Sequence, residues 1–148
     1  LSVDHLEELS EEDIEALKGS KTMPTLLPGC SFFLSIPFGR ARDLIDAGLP
    51  VALASDYNPG SAPSGNMQLV TSLACTKMNM TPVEALNATT LNTAYAMGIA
   101  ETHGSITEGK KANLMITKSI SSLARIPYSF GENSIETVIL NGEVVHQE

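Results

Sequence analysis

The sequence predicts an α/β fold, parallel βα units followed by a small antiparallel β unit, and three observations carry this. Val51, Ala52, Leu53 and Ala54, set between Pro50 and Ser55, form a run of small or β-branched apolar residues. That is the pattern of a strand buried on both faces in a helix-covered parallel sheet. Upstream, apolar runs alternate with helical patterns in the order strand, helix, strand, helix, strand over short connections, the mark of parallel units. Near the end, residues 136–140 and 143–146 are β-branched runs joined by Asn141-Gly142, a two-residue hairpin turn.

Taken in order, residues 1–3 close a first strand, expected to be buried, which delivers Asp4 and His5 to its carboxyl end. Ser10 is an N-cap with Glu11, Glu12 and Asp13 in the first turn, and Ile14 and Leu17 continue an amphipathic helix that stops at Gly19. The acids complement the helix dipole on a solvated face. Residues 22–27 make the second strand, ended by Pro28-Gly29. A loop with Phe32, Phe33 and Pro37 leads to a helix over 40–47 that stops at Gly48, and the 51–54 strand follows.

After a loop with Pro63, Ser64 and Gly65, residues 67–78 carry Met67, Leu69, Val70, Leu73, Ala74 and Met78 at helical spacing. A methionine stripe there reads as core. Thr81-Pro82-Val83-Glu84 is a capping box with Pro in the first helical position, and it starts a helix to about Ala88. Another helix spans 89–97, broken by Gly98. Gly104 and Gly109 then punctuate a turn before a strand at 114–116 that has no helix between it and the next strand. The chain therefore divides into βα units over 1–103 and a small β unit over 104–148. His103 and His146 read as surface residues, since neither sits beside another ligand type at metal spacing.

Composition limits the function. The 148 residues are one domain's worth, short of the roughly 250 that a closed eight-stranded α/β barrel needs. A net charge of −8 argues against an extended nucleic-acid footprint. Cys30 and Cys75 lie far apart, and no long apolar run or signal-peptide pattern occurs, so a reduced, cytoplasmic protein without membrane partners is expected. The sequence opens on Leu1-Ser2-Val3, as if inside a strand, so a larger parent is expected.

The candidate site is Asp56-Tyr57-Asn58-Pro59-Gly60-Ser61. Asp56 follows the buried strand directly, at the end where α/β barrels present catalytic side chains, and Asn-Pro-Gly turns the backbone with its N–H groups expected to point outward. Two readings of Asp56 stand: a reactive carboxylate, or an Asx-turn in which it caps its own loop. His5 has the same two faces, a functional imidazole or an exposed side chain near a terminus.

Residues 2–6, 26–29 and 46–61, Gly104-Ser105 with Gly109-Lys110-Lys111-Ala112-Asn113-Leu114, and Ile126-Pro127-Tyr128-Ser129-Phe130-Gly131 together resemble the carboxyl-terminal third of the imidazolonepropionase family, metal-dependent hydrolases of the amidohydrolase superfamily. The resemblance implies that the strands ending at His5, Pro28 and Asp56 are the sixth, seventh and eighth of a (β/α)₈ barrel, flanked by the β unit. It implies one zinc or iron ion with Asp56 as a ligand and proton acceptor, activating water for hydrolysis of the small-molecule substrate 4-imidazolone-5-propanoate. His5 then matches a residue beside the metal water and the substrate, and Asn58, Gly60 and Ser61 match the loop that holds substrate or product.

The family's other ligands, a His-x-His pair and a further His, have no counterpart here, where His5, His103 and His146 are the only histidines. One carboxylate and one imidazole do not make a tight zinc site. Alone, the chain is expected to be an incomplete enzyme, partnered by the missing amino-terminal part of the barrel or by copies of itself. Another amidohydrolase, a deaminase or cyclic amidase, and a non-catalytic assembly role are the alternative readings.

Overall fold

The computed structural model describes residues 2–147; Leu1, which the sequence counts in the first strand, lies outside them. Three parallel strands, β1 (Ser2–Asp4), β2 (Met23–Leu26) and β3 (Ala52–Leu53), form a sheet in the order β1-β2-β3. Asp4 pairs with Thr25, and Leu26 with Leu53, so all three carboxyl ends lie along one edge.

α1 (Glu11–Lys18) joins β1 to β2, and α2 (Pro28–Leu34) and α3 (Ala41–Asp46) join β2 to β3. α4 (Met67–Lys77), α5 (Pro82–Thr89) and α6 (Leu91–Ala96) follow β3. Local chemistry sets several of these boundaries. Ser10 with Asp13, and Thr81 with Glu84, form reciprocal capping boxes that satisfy the first free N–H groups of α1 and α5. Gly48, at φ +82°, takes the left-handed turn after α3. Thr90 leaves helical geometry and separates α5 from α6.

The core lies between β2, β3 and the helices. Leu26, Leu44 and Leu53 are fully buried, packed with Val51, Met78 and Met80. Each such side chain contributes about 1.5–3 kcal/mol. Ala74, Ala85 and Ala88, all fully buried, let α4 and α5 approach closely.

A second sheet, antiparallel in the order β4-β5-β6, joins β4 (Leu114–Thr117), β5 (Ile135–Leu140) and β6 (Glu143–Gln147). Asn141 (φ +51°) and Gly142 (φ +87°) make the hairpin turn expected between its last two strands. His146 is exposed, as expected of a surface residue.

Two local expectations change, and one element appears where none was expected. β1 is largely exposed rather than buried, because among the described residues only β2 pairs with it. Residues 28–34, expected as a loop, form α2: Pro28 opens it, and Ser35 in the left-handed region ends it. Residues 125–128 form a one-turn helix, α7 (Arg125–Tyr128), inside the Ile-Pro-Tyr segment. No helix among the described residues is long and apolar enough to cross a membrane.

Candidate active site

β3 ends at the sheet edge and the chain turns sharply at Asp56, whose φ of +53° lies in the left-handed region that Asp tolerates better than most residues. The following loop is a self-contained polar network. Asn58 Oδ1 accepts from the backbone N–H groups of Gly60 (2.9 Å) and Ser61 (2.8 Å). Asn58 Nδ2 lies 2.6 Å from Asp56 O and 2.9 Å from Ser61 Oγ. With its oxygen accepting from Asn58, the Ser61 hydroxyl donates to Asp56 Oδ2 at 3.1 Å. A relay from Asn58 through Ser61 to Asp56 thus fixes the carboxylate.

The outward N–H groups expected of this turn are not found. The amides of Tyr57 and Asn58 bond to Ser55 Oγ and Ala62 O, and those of Gly60 and Ser61 to Asn58. Asn58, not Asp56, caps the turn, because its side chain reaches the two amides that follow Pro59. Asp56 is left partly exposed, its carboxylate held by a single hydroxyl of the loop.

α2 is the floor of this loop. Gly29 lies beneath it, where a Cβ would make an ordinary van der Waals contact with Ser55 O at 3.5 Å. Cys30 is buried with Leu27 and Ala62 against Ala54. Burial pushes the Cys30 thiol pKa up, as do the negative charges of Asp56 and Glu7, while a hydrogen bond with Ser61 opposes the shift. The thiol is therefore neutral packing under the carboxylate.

His5 emerges from the same edge two strands away, roughly 9–10 Å across the sheet. It and Leu6 have φ of +75° and +67°, and His5 Nδ1 lies 3.3 Å from Glu7 Oε1. The structure therefore brings His5 and Asp56 to one rim. Nothing in the sequence marked Glu7, Cys30 or Ser31, whose roles depend on contacts between elements and leave no local pattern.

Asn92 and Thr93 of α6 were missed for the same reason. Asn92 Nδ2 donates to Val51 O at 2.7 Å, and Thr93 Oγ1 lies 3.0 Å from Leu53 O and 2.6 Å from Ala88 O. α6 thereby covers carbonyls of the strand that carries Asp56.

Among the described residues no group of three or more His, Cys, Asp and Glu side chains is arranged to hold a metal ion. Asp56 is one carboxylate donor, and His5 is turned to Glu7. The described residues do not make a metal centre among themselves.

A parallel sheet with a polar carboxylate loop at its carboxyl edge, helices outside it and a small antiparallel sheet beside it define a piece of an amidohydrolase-type α/β barrel. The amidohydrolase family matches residues 9–145, and the chain belongs to that family. Among relatives, the imidazolonepropionase of Flavobacterium johnsoniae is 66% identical over 145 residues, covering 98% of this chain and 35% of that protein. That of Geobacillus kaustophilus is 48% identical, covering 98% of this chain and 34% of its own length. The chain spans about a third of the length of these relatives.

Solved structures share the fold at lower identity. A zinc-bound adenosine deaminase from Xanthomonas campestris superposes with a TM-score of 0.88 at 22% identity, over 97% of this chain and 36% of its own. A zinc-complexed atrazine chlorohydrolase from Arthrobacter aurescens gives 0.86 at 16% identity, over 99% and 36%.

Proposed function

We propose that this chain supplies the sixth to eighth strands and the flanking β unit of an imidazolonepropionase, with residues 1–103 forming the barrel units and 104–148 the β unit. The observation that supports this best is 66% identity to a protein of that name across nearly the whole chain, including the Asp56 loop. The reaction is hydrolytic opening of the ring of 4-imidazolone-5-propanoate to N-formimidoyl-L-glutamate in histidine breakdown.

In this reading Asp56 is the one metal ligand the chain contributes, towards a zinc or iron ion whose other donors lie outside the described residues. Such an ion lowers the pKa of bound water towards neutrality. The chain's own groups do the rest. The Asp56 carboxylate, fixed by Ser61, accepts a proton, and His5 moves a proton at, or polarises, the substrate carbonyl. Asn58, Gly60 and Ser61 shape the loop that receives substrate, which they do by holding one another. The protein is cytoplasmic and works with the remaining strands of the barrel or as a homo-oligomer.

The test is to join this chain to the remaining two thirds of the Flavobacterium johnsoniae relative and assay ring opening of 4-imidazolone-5-propanoate. Turnover well above background is expected, whereas a folded, metal-loaded chimera without turnover contradicts the proposal. The 148-residue chain alone should retain little zinc on dialysis and show no turnover.

A further inference from the structure

We propose that Glu7 is the positioning residue for His5, holding the neutral imidazole with its proton on Nδ1 and leaving Nε2 as the acceptor. The inference rests on the reading of His5 as a functional imidazole and adds the residue that orients it. β1 ends at Asp4, and the next two residues, neither of them glycine, both lie in the left-handed region, with φ of +75° at His5 and +67° at Leu6. Each costs about 1–2 kcal/mol of backbone strain, which persists only where surrounding contacts hold it. The double turn folds the chain back and sets Glu7 Oε1 3.3 Å from His5 Nδ1.

Glu7 is not a free surface acid. Its side chain is 14% exposed, against 49% for His5. Ser31 Oγ, in a residue only 2% exposed on α2, lies 3.4 Å from the same carboxylate oxygen. The carboxylate is thus held between a buried hydroxyl and the imidazole. An ionised carboxylate only accepts hydrogen bonds, so a neutral ring facing it through Nδ1 carries its proton there. A free histidine side chain prefers the other tautomer, with the proton on Nε2. Held as the structure shows, Nε2 keeps its lone pair and can take up a proton at the reacting centre and deliver it, from an imidazolium that the carboxylate stabilises, to the substrate carbonyl oxygen or the departing ring nitrogen.

The test reads the tautomer, not the activity. In a His103→Gln, His146→Gln background His5 is the only imidazole of the chain. Its ring ¹⁵N shifts are recorded at about pH 9, where free imidazole is neutral. The expected result is a protonated, pyrrole-type Nδ1 and an unprotonated Nε2, shifting to a majority of Nε2–H in Glu7→Met, which keeps the bulk and removes the acceptor. A majority of Nε2–H with Glu7 in place overturns the proposal. So does a Glu7→Met chain that keeps its folded amide spectrum and its Nδ1–H tautomer. Should Glu7→Met fail to fold, Glu7→Ala, which also removes the acceptor, takes its place under the same rule. An inactive chimera would remove the catalytic reading and leave this result standing.

Discussion

Ser61 Oγ lies 3.1 Å from Asp56 Oδ2, so the carboxylate at the end of β3 is tied to the far side of its own loop. Asn58 holds that far side, accepting from Gly60 N and Ser61 N and lying within hydrogen-bond distance of Ser61 Oγ. Asn58→Ala leaves two amides without their acceptor. Thermal unfolding should show a loss of about 1–2 kcal/mol. In the chimeric enzyme kcat/KM should fall while metal content stays unchanged.

Asn92→Ala tests the closure of the β3 edge. It removes the donor to Val51 O, at a residue 2% exposed, and leaves a buried carbonyl unpaired. A loss of about 1–3 kcal/mol is expected by chemical denaturation, with Asn92→Asp, which lacks the amide donor, similarly impaired.

Much of the fold could be read locally. The Ser10 N-cap, the Thr81 capping box, the Asn141-Gly142 turn and the strand within the apolar run at 51–54 each carry their chemistry within a few residues, and each appears where expected. The exposure of β1 was not legible, because burial of a strand depends on neighbours and β2 is the only one paired to it among the described residues. α2 was hidden by its exposed Phe32 and Phe33, which give no apolar face in helical register with a core. At the site, the place of Asp56 after a buried strand and the turn at Asn-Pro-Gly were visible, whereas the sequence offered Asp56 and not Asn58 as the residue that caps that turn. Glu7, Ser31 and Asn92 act across elements, with separations of 24 residues from Glu7 to Ser31 and 41 from Val51 to Asn92. No periodicity encodes such pairs.

Stability should fall in acid through Glu84. Two hydrogen bonds of 3.1 Å from Arg42 join α3 to α5 and, with the Thr81 backbone N–H, lower the Glu84 pKa from an ordinary 4.5 to about 2. Because the folded value is depressed, the contribution is complete above pH 4.5 and is lost as pH falls towards 2. Both side chains are about 30% exposed, so screening leaves roughly 1 kcal/mol. Glu84→Gln should flatten that part of the stability profile between pH 5 and 2, measured by urea unfolding.

Gly104→Ala should be among the more damaging single changes. Gly104 has φ +89°, and an added Cβ would lie 2.7 Å from Ala94 Cβ and 3.1 Å from Thr90 O. Strain and overlap together should cost about 2–4 kcal/mol. Gly109→Ala, at φ +86° with open space around it, should cost only the backbone term of about 1 kcal/mol. Comparing the two melting temperatures separates packing from conformation.

The central claim is that Asp56 is a reacting carboxylate and not merely part of a turn. The most direct measurement is kcat/KM for 4-imidazolone-5-propanoate in the chimeric enzyme carrying Asp56→Ala, with metal content and melting temperature recorded on the same sample. Loss of metal and of activity by several powers of ten, with the melting temperature nearly unchanged, is the predicted result. An Asp56→Ala enzyme that is less stable by about 1 kcal/mol yet turns over at the original rate would contradict it.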